Sequence, residues 1–317
     1  MKILLTGGAG FIGSAVGRAL LSRGDEVVVV DNFNDYYDPS LKEARVKHLL
    51  AEFEPTIVHA DIADRAAMEK IFRDRRFDAI CHLAAQAGVR YSLKNPFVYA
   101  QSNVVGTLTL LELARLNGNP PFIYASSSSV YGANDKVPFS EDDRVDQPIS
   151  LYAATKRATE LLAYTYHHLY QLPCTGLRFF TVYGPWGRPD MSYTLFVRDI
   201  LAGKEISLFN HGEMERDFTF IDDIVSGVLC ALDHPFPCEI FNLGNNQPVT
   251  LRAYVTAIEK ACDQQAKIKL LPLQPGDLPR THADIAKANR LLGWQPKTEL
   301  KDGIQKFVVW YREYHKI

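Results

Sequence analysis

The sequence has little of what marks a disulfide-stabilised, membrane-spanning or nucleic-acid-binding protein. Its five cysteines among 317 residues are odd in number and form no Cys-x-x-Cys pair, which argues against a disulfide framework and a zinc site. No apolar run reaches the length of a bilayer, and the chain begins in a strand-like KILLT segment without a signal-peptide pattern. The net charge of −2 lacks the basic excess of proteins that bind nucleic acids or membrane surfaces. We therefore expect a cytoplasmic protein with no nucleic-acid, membrane or metal partner.

Short β-branched segments alternate with helix-length amphipathic segments along the first half of the chain. The expected strands are KILLT, EVVVVD, TIVHAD, FDAICHLA, PPFIYASS and PCTGLRFF. This alternation predicts βα units, and runs such as VVVV are apolar on both faces, as in strands that helices cover on both sides. The fold class expected is α/β with a doubly wound parallel sheet.

The composition changes after residue 180, where TVYGPWGRPD contains glycines and prolines that break regular structure. We expect a first domain over residues 1–180 and a smaller C-terminal α/β substrate domain over 181–220 and 244–317. The segment of about 221–243, a helical pattern followed by a strand-like EIFNLG, is expected to rejoin the main sheet.

A glycine-rich segment, TGGAGFIG at residues 6–13, lies between the first expected strand and the first expected helix. Glycines permit a tight turn, while the helix N-terminus offers N–H groups and a positive dipole end to a pyrophosphate. Asp31 ends the second strand, where a carboxylate can accept both ribose hydroxyls of an adenosine and would repel a 2′-phosphate. A turn that only packs helix on strand is the alternative, but the complete order of elements favours a Rossmann-type dinucleotide site that prefers NAD to NADP.

The motif also indicates which side chains and backbone groups meet the cofactor. An acidic residue after the third strand is expected near the adenine, although an Asp at a strand end is also commonly a helix cap. The expected contacts of the motif are Gly7, Gly10, Phe11, Ile12 and Gly13 at the pyrophosphate, Asp31 and Asn32 at the ribose, and Asp61 and Ile62 at the adenine.

A second expected helix, beginning near Ser150, carries Tyr152 and Lys156 four residues apart and hence on one face. A tyrosine has a pKa of about 10, so it acts as a base near neutrality only where a cation stabilises its phenolate. Lys156 is such a cation, and the serine run at 126–129 offers a hydroxyl. The apolar stripe predicted to form the buried face of this helix is Leu151, Ala154, Ala158, Leu162, Thr165 and Leu169.

Over essentially its whole length the sequence resembles the extended short-chain dehydrogenase/reductase family. The resemblance implies that Tyr152 is the acid/base, that Lys156 orients the nicotinamide ribose and lowers the Tyr152 pKa, and that Ser127 assists at the reacting hydroxyl. It further implies NAD contacts by Leu83, Ala84, Ala85, Gln86 and Asn103. The segments that carry the resemblance are TGGAGFIG with Asp31, HLAAQ at 82–86, Asn103, SSSSVYG at 126–132, YAATK at 152–156 and RFFTVYGP at 178–185.

Within that family the chain is most similar to nucleotide-sugar epimerases that act on UDP-glucuronate, through VRYSLKNP at 89–96, GPWGRPDM at 184–191 and GEMERDFTFIDDI at 212–224. This implies inversion of C4 to give UDP-galacturonate through a transient 4-keto sugar, with NAD tightly bound and regenerated in each turnover. The 4-keto uronate is a β-keto acid, so its carboxylate must be held against loss of carbon dioxide. Ser127, Ser128 and Thr181 are the expected donors, with a plain strand-end role as the alternative for Thr181.

Several arginines and two aspartates follow from the same resemblance. Arg216 and Arg280 are expected at the diphosphate and uridine, with Arg188 as a third, because guanidinium groups suit phosphate oxygens. Arg90 would meet the nucleotide sugar or hold a loop. Asp222 and Asp277, which would fix a loop or a ribose, are left outside the catalytic set.

Other functions share parts of this pattern. A UDP-glucose/UDP-galactose epimerase has the same catalytic groups, and a UDP-glucuronate decarboxylase commonly carries a Glu after the catalytic hydroxyl, where this chain has serines. A non-catalytic NAD sensor would not need the three groups. A helix from about Pro96 to Asn117 and the Tyr152 helix would form a four-helix interface in a homodimer or, alternatively, pack within one chain.

Overall fold

A computed structural model describes residues 1–273 and 279–317, so Asp277 lies outside the described residues. A parallel sheet of seven strands forms its centre, and the six expected strands are all present in it. The strands are β1 Lys2–Thr6, β2 Glu26–Asp31, β3 Thr56–His59, β4 Ala79–His82, β5 Phe122–Ser127, β6 Cys174–Phe179 and β10 Cys238–Leu243.

The strand order in space is β10-β6-β5-β4-β1-β2-β3. The chain therefore builds outwards from β1 to β3 and then returns to add β4 on the other side of β1. The EIFNLG segment enters the sheet as β10, parallel to β6. In such sheets the crevice at the point of reversal, beyond the carboxyl ends of the strands, is the usual ligand site.

Helices cover both faces of this sheet. In β1, Ile3 and Leu5 contribute to the core on one face and Leu4 to the core on the other, as period-two alternation requires. The helices of this region are α1 Phe11–Ser22, α2 Ser40–Arg45, α3 Arg65–Arg73, α4 Val89–Ser92, α5 Pro96–Tyr99, α6 Gly106–Leu116, α7 Leu151–Tyr170 and α9 Ile221–Asp233. A π-helical stretch, Ala100–Val105, joins α5 to α6.

The remaining elements form two small sheets with their own helices. One has the order β11-β9-β7 and the other pairs β12 with β8, where the strands are β7 Thr181–Tyr183, β8 Glu205–Leu208, β9 Glu215–Phe220, β11 Pro248–Thr250 and β12 Lys267–Leu270. The helices are α8 Ser192–Leu201, α10 Leu251–Cys262, α11 Ala286–Leu292 and α12 Leu300–His315. No helix in the described ranges is both long and apolar enough to cross a membrane.

Helix α7 buries a different face from the one that its apolar stripe predicts. Its start is as expected, since the Ser150 side chain caps it by accepting a hydrogen bond from the Ala153 N–H. The stripe prediction is wrong because polar side chains of the other face find hydrogen-bond partners in the sheet and in the neighbouring helix. The buried residues are Ala153, Thr155, Lys156, Thr159, Glu160 and Ala163, whereas Leu151, Ala154, Ala158 and Leu162 are only partly buried and Thr165 and Leu169 are exposed.

Candidate active site

A cavity of about 610 Å³ opens beyond the carboxyl ends of the central strands. It lies at the point where the strand order reverses. It is lined by residues from the glycine-rich loop, the ends of β2, β4 and β5, the start of α7, and the two small sheets with their helices. The fold thus brings the expected cofactor, catalytic and sugar-binding segments to one cavity.

The glycine-rich loop fits its place because Gly7 has no side chain. Gly7 has a φ of 73°, and a Cβ there would lie 2.6 Å from the Ala84 backbone nitrogen, so the loop packs directly on the end of β4. Phe11, Ile12 and Gly13, whose N–H groups start α1, line the cavity. Since N–H groups in the first turn of a helix lack intrahelical acceptors, this turn can bind a pyrophosphate.

Asp31 ends β2 and lines the same cavity. Its carboxylate is held by two backbone donors, the N–H of Ala9 at 3.0 Å and the N–H of Phe33 at 2.9 Å, and retains lone pairs for a ribose.

Lys42 also lines the cavity, with its Nζ donating to the backbone oxygen of Asn34 at 2.8 Å. Burial lowers the pKa of Lys42, and the charge of Asp31 opposes that shift. Lys42 was missed in the sequence because no motif marks it.

Asp61 does not line the cavity, although Asn32 and Ile62 do. Its Oδ2 accepts a hydrogen bond from Asn32 Nδ2 at 2.9 Å, and its Oδ1 accepts from the Ala63 N–H at 2.8 Å. The side chain therefore orients Asn32 and the turn before α3. Spacing alone places a carboxylate after a strand and does not tell which way it faces.

Asn103 likewise lies behind the cavity wall that residues 83–86 form. It is buried, its Oδ1 accepts from the Gln86 N–H at 2.8 Å, and its Nδ2 donates to the Gln86 oxygen at 3.0 Å and to Thr155 Oγ1 at 3.0 Å. It thus ties the end of the β4 segment to α7. Leu83, Ala84, Ala85 and Gln86 themselves line the cavity.

Tyr152, Lys156 and Ser127 all line the cavity. Lys156 Nζ donates to the Ala125 oxygen at 2.9 Å, and burial lowers the Lys156 pKa to about 8, with the charge of Glu160 opposing. Burial raises the pKa of Tyr152, while a hydrogen bond with Ser127 acts in the opposite direction. A phenol, a hydroxyl and a buried ammonium group that is protonated at neutral pH therefore share one site, which suits proton exchange with a substrate hydroxyl.

A buried ion pair supports this site from below, and no sequence motif indicates it. Glu160, one turn beyond Lys156, accepts from Ser126 Oγ at 2.6 Å and from Arg178 Nε at 2.8 Å and Nη2 at 3.0 Å. Burial alone would raise the pKa of Glu160, but the hydrogen bonds and charge of Arg178 lower it. The pair joins α7 to β5 and β6 directly beneath Ser127.

The expected sugar-nucleotide residues fall into two groups. Ser128, Thr181, Arg90, Arg188 and Arg216 line the cavity. Arg280, in contrast, is not one of the described residues that line the cavity.

Arg188 and Arg280 each pair with a carboxylate. Arg188 forms a two-point ion pair with Asp190, with Nε–Oδ1 at 3.0 Å and Nη2–Oδ2 at 2.6 Å, and Tyr36 donates to the same carboxylate. Arg280 pairs with Glu215 and has a half-exposed side chain. Asp190 and Tyr36 also line the cavity, and the sequence patterns singled out neither of them.

Comparison with known proteins places these features in a family context. The profile of the NAD dependent epimerase/dehydratase family matches residues 3–244. UDP-glucuronate 4-epimerase 4 of Arabidopsis thaliana is 52% identical over 333 aligned positions, which cover 99% of this chain and 76% of that protein. The structure of UDP-glucuronic acid 4-epimerase from Bacillus cereus with UDP-glucuronic acid and NAD gives a TM-score of 0.92 at 35% identity, covering 99% and 100% of the two chains. UDP-glucose 4-epimerase from Thermotoga maritima, with UDP-glucose, gives 0.91 at 33% identity over the same shares.

Proposed function

The chain belongs to the NAD dependent epimerase/dehydratase family, and from this premise we propose that it is an isomerase that converts UDP-glucuronate into UDP-galacturonate by inverting C4. The observation that carries the proposal is that Ser127, Tyr152 and Lys156 line one cavity with the glycine-rich loop and Asp31. The similarity to UDP-glucuronate 4-epimerases over nearly the whole chain confirms the resemblance seen in the sequence.

The residues of the first domain fit NAD. The space that a Cβ on Gly7 would need is filled by the backbone of Leu83 and Ala84, just after β4, so only a glycine lets the loop pack this closely on the sheet. The N–H groups of Phe11 to Gly13 would hold the pyrophosphate, and the Asp31 carboxylate would hold the adenosine ribose. NAD, when bound, supplies the reversible oxidation of C4, so it is regenerated in each turnover.

The proton chemistry falls to the chain itself. Tyr152 would take the proton of the C4 hydroxyl as the sugar is oxidised and give it back when the 4-keto sugar is reduced on its opposite face. Lys156, a cation at neutral pH, would stabilise the Tyr152 phenolate, and Ser127 would form a hydrogen bond with the reacting C4 hydroxyl. Inversion then requires the sugar to turn over within the cavity between the two steps.

The uronate carboxylate distinguishes this substrate from a neutral sugar. Ser127, Ser128 and Thr181 are proposed to hold it with neutral hydroxyl donors. The bond between C5 and the carboxylate carbon is then poorly aligned for cleavage beside the 4-keto group. The two-point pairing with Asp190 uses Nε and Nη2 of Arg188, so Arg188 does not offer the uronate carboxylate a two-point ion pair. Arg188, Arg216 and Arg90, which line the cavity, are proposed to contact the diphosphate and nucleotide.

The two regions divide the work. We propose that residues 1–180 with 221–243 bind NAD, and that 181–220 with 244–317 select the sugar nucleotide. The pairing of β10 with β6 supports this division.

A cytoplasmic location is proposed because all five cysteines are free thiols, as a reducing compartment would keep them.

We also propose a homodimer formed by the α5–α6 segment and α7. Both helices expose apolar side chains, among them Phe97 at 83%, Leu161 at 51% and Tyr164 at 60% exposure. Such side chains on adjacent helices are typical of an interface, and pairing with a second copy about a two-fold axis would make a bundle of four helices.

The function is tested by incubating the purified protein, without added NAD, with UDP-glucuronate and separately with UDP-glucose, and resolving the products by chromatography. UDP-galacturonate from UDP-glucuronate, with little or no UDP-galactose from UDP-glucose, is the expected result. UDP-galactose as the main product would favour a neutral-sugar epimerase, a UDP-pentose would show a decarboxylase, and no turnover would favour a sensor.

A further inference from the structure

Arg45, the last residue of α2, is a fully buried arginine. Among the described residues its guanidinium has only neutral partners: Nη1 donates to the Ala9 oxygen at 3.3 Å and to Tyr37 Oη at 2.6 Å, Nε to the Trp186 oxygen at 2.9 Å, and Nη2 to the Gly187 oxygen at 3.3 Å. Buried arginines are ordinarily paired with a carboxylate. The placement of this one therefore calls for an explanation other than charge pairing.

The acceptors belong to the two loops that matter most for binding. Ala9 lies in the glycine-rich loop, and its N–H is held by Asp31 at 3.0 Å. Trp186 and Gly187 immediately precede Arg188, which lines the cavity. One planar guanidinium thus joins the cofactor loop to the loop that presents Arg188.

The second loop has a conformation that needs such support. Trp186 has a φ of 64°, a left-handed conformation that residues other than glycine adopt at a cost and that persists only where the surroundings enforce it. A Cβ on Gly187 would lie 2.5 Å from a ring carbon of Tyr193, so this turn is closely packed. The left-handed turn directs the carbonyl oxygens of Trp186 and Gly187 to Arg45.

We propose that Arg45 is a positioning residue that couples the cofactor loop to the Arg188 loop. An ordered cofactor loop then holds the Arg188 loop in place for the sugar nucleotide. The proposal rests on the proposed function, because it assumes that Arg188 meets a UDP-sugar. Arg45 itself does not line the cavity. Its removal should therefore weaken substrate binding through Arg188 and leave the reacting groups intact.

The test measures the Kd of UDP-glucuronate by calorimetry in a Tyr152→Phe background, where turnover does not disturb binding. Adding Arg45→Met should raise Kd at least ~10-fold, because a displaced Arg188 loop would lose a charge-assisted hydrogen bond to the sugar nucleotide. Arg45→Lys keeps the charge but cannot reach both loops, so it should raise Kd by at least ~3-fold. If Arg45→Met does not fold, Arg45→Lys alone decides the question.

A double-mutant cycle with Arg188→Met separates coupling from general damage. Because Arg45 acts through the Arg188 loop, Arg45→Met or Arg45→Lys added to Arg188→Met should raise Kd by less than ~2-fold further. With Tyr152 intact, the Arg45 variants should raise KM and keep kcat within ~2-fold of the parent. Additive effects, or a lower kcat with unchanged Kd and KM, would overturn the coupling.

Failure of the proposed function gives a different result. If the parent Tyr152→Phe protein does not bind UDP-glucuronate, the proposed function and the coupling are both overturned. If the parent binds it and the Arg45 variants bind it equally well, the coupling alone is overturned.

Discussion

At the scale of single residues, burial decides the protonation state of the groups around the cavity. His82, at the end of β4, is buried between two hydroxyls, with Nδ1 2.8 Å from Thr6 Oγ1 and Nε2 3.0 Å from Thr107 Oγ1. Burial lowers the His82 pKa to about 3, and the charge of Lys156 acts in the same direction. His82 is therefore neutral over the physiological range and serves as a structural link between β1, β4 and α6.

This shift predicts a pH dependence of stability. Because the unfolded chain protonates His82 below its ordinary pKa of 6.5 and the folded chain does so only near 3, folding loses stability as the pH falls between these values. The loss due to His82 should approach about 1.4 kcal/mol per pH unit. We expect the free energy of unfolding, measured with denaturant between about pH 5.5 and pH 4, to depend on pH less steeply in His82→Gln than in wild type. The difference in slope should be about that amount.

The exposed His168 on α7 offers a matched control. His168→Gln should leave the slope unchanged, since an exposed side chain keeps its solvent contacts in both states. An equal slope in wild type and His82→Gln would contradict the neutral buried imidazole.

Tyr152 carries the proton chemistry in this account. Tyr152→Phe removes the phenol and keeps the ring, so it should reduce kcat at least ~100-fold, the range usual for loss of a general acid/base. The NAD content of the purified variant, measured after denaturation, should be unchanged. Tyr166→Phe on the same helix, whose hydroxyl donates to Glu112 away from the cavity, is the control and should retain activity. Near-normal turnover in Tyr152→Phe would refute the role.

At the scale of elements, α7 shows both the reach and the limit of sequence patterns. Its N-cap at Ser150 and the shared face of Tyr152 and Lys156 follow from local chemistry and helical spacing, and both are present. The buried face does not follow from the apolar stripe, because Lys156 and Glu160 are buried by partners on β5 and β6 that are distant in sequence.

Stability measurements can test the buried pair of α7 and β6. Glu160→Gln leaves the Arg178 guanidinium buried without its counter-charge, so it should lower the free energy of unfolding by about 3–5 kcal/mol. Glu69→Gln, which breaks the exposed pair of Arg65 and Glu69 on α3, should change it by less than about 1 kcal/mol. Equal effects of the two substitutions in denaturant unfolding would show that the buried pair does not support the site.

At the scale of the whole molecule, the sheet and the position of the cavity could be predicted, but several side-chain directions could not. The order of strand, glycine loop, helix and Asp31 is encoded within the first few dozen residues. Asp61, Asn103 and Arg280 are expected at the ligands, yet the structure turns each of them toward a protein partner: Asn32, Gln86 and Glu215. Arg45 and Lys42 have no motif, since their surroundings come from separate loops.

The proposed dimer is a property of the whole molecule that solution measurements test. Wild type should sediment with twice the mass of one chain, because Tyr164 and its neighbours on α7 and α6 would be covered. Tyr164→Glu should shift the mass to that of one chain. Ile268→Glu, at another exposed apolar position, on β12, should not. A monomeric wild type would contradict the dimer.

In the proposed mechanism, the hydrogen at C4 leaves and returns within a single active site. The most direct test is to supply UDP-glucuronate deuterated at C4, with no added NAD, and to locate the deuterium in the product by NMR. We expect UDP-galacturonate with the deuterium still on C4 and inverted configuration there. Deuterium lost to the solvent, or a UDP-pentose as the product, would contradict it.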